Sequence, residues 1–466
     1  MLNRDRLNDA EAHLRELDQR HNLHPWTHFD SLEKEGAMVV ASGKGCYLTD
    51  ANGKTYLDAV GGMWCTNIGL GREEMADAIA SQIRELAYSS TFVDMTNGPA
   101  ALLGEKIASL TPGDLNHMQF TTGGSTAVDT AYRLIGFYNY CMGRPQKNHV
   151  IARDQAYHGS TFVTMSIGNK ASDKVEEFQY LRDGIHHLSA PHFYRAGGQL
   201  TEDQFTDQLI NEFEAKITEI GADKVGAFFA EPIQASGGVL VPPNDYLKRM
   251  WEVCQKYDIL FVADEVVTAF GRLGHFFSIE AEFDIIPDII ISAKGLSSGY
   301  LPMGAMIYSD RIHDVISQGD DNRWFASGFT YSGHPVCCAA ALKNIEIMER
   351  ENLMQNATEV GMYFEEQLHT LNDLEIVGNV RGKKLMMCVE NVKDKITKEL
   401  LPDEVNIGKR ISNAAENMGL LVRPIGHLNV MSPPLTLTRE NVDFLVKTLR
   451  AAIEQVTSEL KAEGHI

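Results

Sequence analysis

Positive charge is scarce in this 466-residue chain: 42 Lys and Arg stand against 63 Asp and Glu, a formal net charge of −21. Such a surface disfavours nucleic acid and anionic membranes, although a few local N–H groups can still hold a small phosphate. Long apolar runs are also missing, and nothing approaches the roughly 18 residues that a membrane helix needs. The stretch Asn8 to Arg20 is charged and lacks a secretory apolar core. Its Leu7, Ala10, Leu14 and Leu17 fall at helical spacing and predict a docking face. The seven cysteines, at 46, 65, 141, 254, 337, 338 and 388, are odd in number and show no C-x-x-C spacing. They indicate neither a disulfide framework nor a zinc site, and a reducing cytoplasm is expected. The 16 histidines show no metal-ligand spacing either. Internal repeats, low-complexity linkers, a P-loop lysine pattern and a G-x-G-x-x-G at the first strand are all absent, so a nucleotide-dependent enzyme ranks low.

What is present is a chain that can bury a large core. With 44% hydrophobic residues its length suits two domains, or one large domain with a smaller partner. Gly45 to Asp50 and Thr55 to Asp58 read as two strands joined by a tight turn at Ala51-Asn52-Gly53-Lys54. From about residue 70 to 335, short apolar runs alternate with helical patterns: Met118 to Thr121, His149 to Ala152, Val225 to Ala230, Leu260 to Ala263, Ile289 to Ser292 and Ala305 to Ser309. That alternation predicts an α/β fold with a mostly parallel sheet covered by helices. The remainder begins with a long helix, continues through strand-rich segments at Glu375 to Val389 and Leu420 to Ser432, and closes on a helix. Val442, Leu445, Leu449, Ile453, Val456 and Leu460 form the apolar face of that last helix.

The chemistry concentrates at strand ends. Phe261 to Ala263 runs into Asp264 and Glu265, and Ile289 to Ser292 runs into Ala293, Lys294 and Gly295. A lysine amine can form a Schiff base with a carbonyl, and a carboxylate can keep a pyridine nitrogen protonated, so the two suit an aldehyde cofactor. Acids and bases at strand ends are also ordinary surface features. Thr121-Thr122-Gly123-Gly124-Ser125-Thr126 opens a helical run from Ala127 to Tyr140, where glycines and unpaired N–H groups make a phosphate seat or a plain capped turn. In Tyr157-His158-Gly159 an aromatic or imidazole ring could stack on a flat cofactor or fill a core. In open α/β sheets ligands bind outside the carboxyl ends of the strands, where Gly124, Asp264 and Lys294 all fall.

Taken in order, Gly124-Ser125, Tyr157-His158-Gly159, Glu231-Pro232, Asp264-Glu265-Val266, Lys294-Gly295 and the segment Gly328 to Pro335 (GFTYSGHP) resemble the class III, or omega, aminotransferases of the amine or omega-amino acid:pyruvate type. The likeness runs from Trp26, through DAVGGMWC at Asp58 to Cys65, to VRPIGHLNVMSPP at Val422 to Pro434. It implies the aspartate aminotransferase-like fold type I of pyridoxal-phosphate-dependent transferases. Residues 71–335 would form the large cofactor domain, and 1–70 with 336–466 a discontinuous, smaller α+β domain.

The resemblance also implies roles. Lys294 would be the Schiff-base lysine and proton carrier, and Asp264 the partner of the pyridinium nitrogen. Val266 and Tyr157 would pack on the two ring faces, with His158 beside them. Gly124 and Ser125 N–H groups, with Thr330 from the opposite subunit of a homodimer or tetramer, would bind the phosphate. Glu231 would orient groups near the substrate or form a structural ion pair. Trp64 and Phe92 would wall the pocket, and Arg423 would grip the carboxylate of a keto acid in a bidentate pair. No second arginine is evident for a distal carboxylate, which favours pyruvate. The expected reaction is ping-pong transamination through pyridoxamine phosphate (PMP). An aminomutase or racemase, or a binding protein on the same scaffold, would retain much of this set. Two departures from the family pattern stand out: Thr126 follows the phosphate-loop serine where an acid is usual, and Val267 stands where glutamine or isoleucine is usual.

Overall fold

The computed structural model describes residues 11–319 and 323–466. Leu7 and Ala10 of the N-terminal stripe lie outside them. The helix Glu11–His21 follows, with no buried residue and with Leu17 exposed. Fifteen strands, numbered in chain order, build three sheets among the described residues. The first comprises β1 (Val40–Lys44), β2 (Tyr47–Asp50), β3 (Thr55–Asp58) and the distant β13 (Leu420–Leu421), which runs parallel to β3. The central sheet holds β4 (His117–Thr121), β5 (His149–Arg153), β6 (Ile185–Leu188), β7 (Val225–Ala230), β8 (Leu260–Asp264), β9 (Ile289–Ser292) and β10 (Gly304–Tyr308). The third comprises β11 (Val377–Lys383), β12 (Met386–Asn391), β14 (Arg423–Ile425) and β15 (Leu428–Met431), all antiparallel.

The central sheet has the order β4-β10-β9-β8-β7-β5-β6. Its middle strands are continuous apolar runs, VGAFFA and IIIS, buried at every position. Both faces of this sheet must therefore be covered. Because successive side chains alternate, Phe228, Phe261 and Ile290 enter one core with the helices Glu202–Ile220 and Tyr246–Lys256. Phe229, Val262 and Ile291 enter the other with the helix Gly124–Cys141. That helix buries Ala127, Val128, Ala131, Leu134, Ile135 and Tyr138, the spacing of one helical face. Each fully buried large side chain contributes about 1.5–3 kcal/mol, so a charge at Ala131 would break the layer.

All six sequence-predicted runs are strands. β6 is an addition: its sequence, IHHL, sets two adjacent half-buried histidines between two buried apolar residues and gives no continuous run. Strands β5 to β9 are mutually parallel, whereas β10 runs antiparallel to both β9 and β4. That reversal brings Thr121, Gly304, Ser292, Asp264, Ala230 and Arg153 to one edge of the sheet. The segments that leave this edge carry Gly124, Lys294, Glu231 and Tyr157.

The chain ends close over this edge. The helix Arg439–Glu463 starts at a capping box between Thr438 and Asn441, and its predicted apolar face is buried throughout. Arg272, fully buried, ties distant segments together: it donates to Asn67 Oδ1 at 3.0 Å, to the Leu385 carbonyl at 3.1 Å and to the Pro433 carbonyl. Burial pushes its guanidinium down to about 10.

Candidate active site

Asp264 ends β8 with its side chain only 4% exposed. Its Oδ2 pairs with Nδ1 of His158 at 2.7 Å, and Oδ1 accepts from the Val266 N–H at 3.2 Å. A buried contact of this kind contributes on the order of 1.5–3 kcal/mol and fixes the carboxylate plane. The His158 ring is itself fully buried, edge-on to Phe229 at 5.9 Å. It therefore supports Asp264 from beneath and cannot serve as a stacking ring, which corrects one of the two readings of Tyr157-His158-Gly159. Tyr157 is half-buried, with its hydroxyl 3.0 Å from Ser160 Oγ and its ring edge-on to Trp26 at 5.9 Å.

Glu231 stands at the end of β7. Burial raises its carboxyl, opposed by His158. Oε1 accepts the Tyr157 N–H at 3.0 Å and Oε2 accepts the Ala235 N–H at 2.9 Å. It is a clasp on the loop that carries Tyr157 and His158, and no ion pair of Glu231 occurs among the described residues. Glu265, also fully buried, binds the N–H groups of Ser278 and Ile279 and is pushed up to about 7 by desolvation. It braces the next helix.

Lys294 follows β9 with φ +42, a left-handed conformation that a lysine adopts only when its surroundings hold it there. Its amine lies 5.2 Å from the Trp64 ring centroid. Burial holds the amine below its ordinary range, opposed by Asp264, Cys65 and Glu231. The Arg423 guanidinium lies 6.0 Å from the same ring. Arg423 contacts Met63 Sδ at 3.1 Å, its Nε is buried without a partner, and it has no carboxylate within ion-pair distance among the described residues. Burial lowers its guanidinium, and Asp173 and Tyr157 oppose that effect.

Trp64 is presented by a tight segment in which Gly61, Gly62 and Trp64 all have positive φ, +63, +65 and +61. Asp58 holds it. Its carboxylate, 2% exposed, accepts the N–H groups of Val60, Gly61 and Gly62 at 2.9, 3.0 and 2.7 Å. Burial pushes this carboxyl up, and the three N–H groups and Arg272 oppose it. Sequence reasoning reached Asp58 only as the first letter of a motif; the run of two glycines that starts three residues later was the available signal.

The residues fit the expected pyridoxal phosphate. The helix Gly124–Cys141 starts without a side-chain cap, so its first N–H groups are free to meet an anion. A Cβ on Gly124 would come within 3.0 Å of Val266, and one on Gly159 within 2.7 Å of the Ser125 backbone, so a close-fitting cradle joins the phosphate seat to the ring site. Ser125 Oγ accepts the Ser160 N–H at 3.1 Å and locks the two loops together. Thr126, the first departure, donates to the Gly123 carbonyl at 2.9 Å and leaves the backbone donors untouched. Val267, the second, packs with the cluster around Trp64.

Phe92 and Thr330 lie on two segments that touch each other. The Tyr88 hydroxyl donates to the Thr330 carbonyl at 2.9 Å, a Cβ on Gly328 would meet the Phe92 ring at 3.2 Å, and both Phe92 and Thr330 are exposed. Among the described residues neither hydrogen-bonds to Lys294, Asp264 or Arg423.

The sequence model of the family Aminotransferase class-III matches residues 30–453. The chain is 38% identical to the putrescine–pyruvate aminotransferase of Pseudomonas aeruginosa over 448 residues, 96% of this chain and 97% of that protein. It superposes on an (S)-enantioselective omega-transaminase from Thermomicrobium roseum with a TM-score of 0.93 at 39% identity, covering 96% of this chain and 99% of that one. The PMP-bound form of an aminotransferase from Vibrio fluvialis gives a TM-score of 0.91 at 35% identity over 96% and 98% of the two chains.

Proposed function

Because this chain belongs to the class III aminotransferases, we propose that its donor is an amine or omega-amino acid and that its acceptor is an α-keto acid, pyruvate in particular. The enzyme is a pyridoxal-phosphate-dependent transaminase. When bound, the cofactor supplies an aldehyde for the donor's nitrogen and an electron-withdrawing ring, and it stores the amino group between the two half-reactions.

The protein's own groups divide the remaining work. Gly124 and Ser125 N–H groups would hold the phosphate, and Asp264, braced by His158, would keep a proton on the ring nitrogen. Val266 and Tyr157 flank the ring. Lys294 would bind the aldehyde at rest and, once displaced, would move the proton at the substrate carbon; burial holds its amine below the ordinary lysine range, the direction that suits a proton carrier. Trp64 excludes water from one side.

The observation that carries the substrate assignment is Arg423, an arginine that has no carboxylate partner among the described residues and that shares the Trp64 ring with Lys294. A guanidinium so placed is satisfied by a carboxylate brought by the substrate. The putrescine–pyruvate relative supports the same pair of substrate classes. The exposure of Thr330 and Phe92 on one knitted segment supports a homodimer in which Thr330 of the partner subunit completes the phosphate site. The pairing of β13 with β3 supports one small domain made of both chain ends. Seven unpaired cysteines, and no described helix long and apolar enough to cross a membrane, support a cytoplasmic setting.

The test is a half-reaction screen. The loaded enzyme is mixed with diamines, arylalkylamines, β-alanine and 4-aminobutyrate without acceptor, and its visible absorbance is followed. Bleaching by particular donors and recovery with pyruvate support the assignment. Recovery only with 2-oxoglutarate would overturn the acceptor, and no bleaching by any amine would overturn the donor class.

A further inference from the structure

Arg381 and Arg423 stand at opposite ends of one row of the third sheet. The register sets Arg381 beside Cys388, Cys388 beside Val430 and Val430 beside Arg423. Directly paired residues point to the same face, and at about 4.8 Å per strand the row spans ~14 Å. Its middle members, Cys388 and Val430, pack in the cluster that holds Trp64. Its ends are arginines on the two edge strands, β11 and β14, and one of them is the guanidinium beside Trp64. Apolar packing is non-directional, so Cys388 and Val430 alone leave the height and tilt of the row loosely set. The far end supplies directional contacts.

The Arg381 side chain is only 11% exposed. Its Nε donates to the Gly238 carbonyl at 2.8 Å, and its Nη1 donates to Asn379 Oδ1 at 3.1 Å and to Glu390 Oε2. Glu390 is held from its other oxygen by Arg195, in the segment after β6, whose Nε lies 2.5 Å from Oε1. Burial works to raise this carboxyl, but Arg381 and Arg195 together hold it below the ordinary range. The carboxylate thus stays charged and orients Arg381. Gly238 lies in the turn after β7, and that turn has no slack. A Cβ on Gly238 would meet Leu428 at 2.6 Å and Arg381 at 3.0 Å, on the side of the third sheet. One on Gly237 would meet the Gln155 carbonyl at 2.5 Å, on the side of the Tyr157 loop. Gln234 donates to the Asp154 carbonyl at 2.8 Å, and Glu231 clasps the Ala235 N–H. The turn is a fixed spacer between the Tyr157 loop and the third sheet, and Arg381 fastens the sheet to it.

We propose that Arg381 is a positioning residue for acceptor recognition: bonded to Gly238 and oriented by Glu390, it sets the height of the row and so places the Arg423 guanidinium at the other end where it meets the acceptor's carboxylate. This rests on the role given to Arg423 above. A lysine at 381 is a poor substitute, since a single ammonium on a flexible stem does not reproduce the rigid fork that serves a carbonyl and a carboxylate together.

The experiment measures kcat/KM of the loaded enzyme for two acceptors, pyruvate and butanal, with 1-phenylethylamine as donor; butanal has no carboxylate for Arg423. Arg381→Gln is expected to lower kcat/KM for pyruvate about tenfold, through KM, the scale of losing a hydrogen bond to a charged group, and to leave butanal within about twofold. Glu390→Gln, which keeps the shape and removes the charge that orients Arg381, should show the same split at about threefold. Should Arg381→Gln fail to fold, Arg381→Lys and Glu390→Gln carry the same comparison. In the Arg423→Ala background, Arg381→Gln should add less than about twofold for pyruvate, because two residues acting through one contact are non-additive. Equal losses for the two acceptors, no loss for pyruvate, or additive losses would overturn the proposal and leave Arg381 a stabilising ion pair. An unchanged pyruvate KM in Arg423→Ala would sink the role of Arg423 and this inference with it, whereas a raised KM there with wild-type behaviour in Arg381→Gln and Glu390→Gln sinks only the inference.

Discussion

Asp58→Ala isolates the clasp that presents Trp64. The substitution strips three N–H groups, at Val60, Gly61 and Gly62, of one shared carboxylate. An unsatisfied buried donor costs about 1–3 kcal/mol. Only the Gly61 bond is fully buried, and water can reach the other two N–H groups. The native state should therefore lose about 3 kcal/mol, part of the gross cost being offset because a carboxylate that burial disfavours is also removed. At about 2.1 cal/mol/K per residue, 466 residues give an unfolding entropy near 1 kcal/mol/K, so the melting temperature should fall by only about 3 °C. Locally the same 3 kcal/mol is a factor of about 100 between the ordered and open forms of the turn. Melting curves read the first number, and steady-state kinetics with one amine and pyruvate read the second. We expect full loading with cofactor but kcat/KM lowered at least about tenfold, because the strained Gly61 to Trp64 segment relaxes and the wall is lost. A variant that melts lower yet keeps kcat/KM within about twofold of wild type would refute the link between the clasp and the wall.

Three further outcomes are expected. In the cofactor-free protein the lowered Lys294 value means that the unfolded chain binds more protons than the native one up to the ordinary 10.5; wild-type stability therefore rises with pH across that window, and Lys294→Met should be flatter and lack transaminase activity, with parallel pH–stability curves counting against the buried amine. Glu231→Gln turns an amide NH₂ toward one of two backbone N–H groups, which should cost about 1–2 kcal/mol in a urea titration and loosen cofactor retention, and an unshifted midpoint would show that a single bond suffices. Thr330→Val should speed loss of cofactor on dialysis while eluting from gel filtration with the wild type; unchanged retention would overturn the role proposed for Thr330.

Much of this architecture is legible in the sequence because burial writes itself in hydrophobic runs. IIIS before Ala293-Lys294 and LFVA before Asp264 name two interior strands, and a lysine and an aspartate at their ends can only sit together at the sheet edge. The last helix is as plain, since its six apolar residues recur at one face. What stays hidden depends on contacts with no sequence period. IHHL reads as polar until its place at the sheet margin is known. Asp58 and Glu231 work through backbone N–H groups, which every residue but proline carries, so no side-chain pattern gives away their partners. The placement of His158 beneath Asp264 across 106 residues is set by tertiary packing alone.

The wall at Trp64 has a history as well as a position. It packs on Met386, Cys388 and Val430, and Ser432 bonds the carbonyls of Ala59 and Val60 at 2.7 and 2.9 Å. The central sheet, with Asp264 and the approach to Lys294, is complete once Tyr308 has been made. Ser432 follows 124 residues later, which at ribosomal rates of about 5–20 residues per second is a delay of roughly 6–25 s. During that interval the chain carries Lys294 without the residues that pack on Trp64, so the order of synthesis makes this wall one of the last parts of the site that can form.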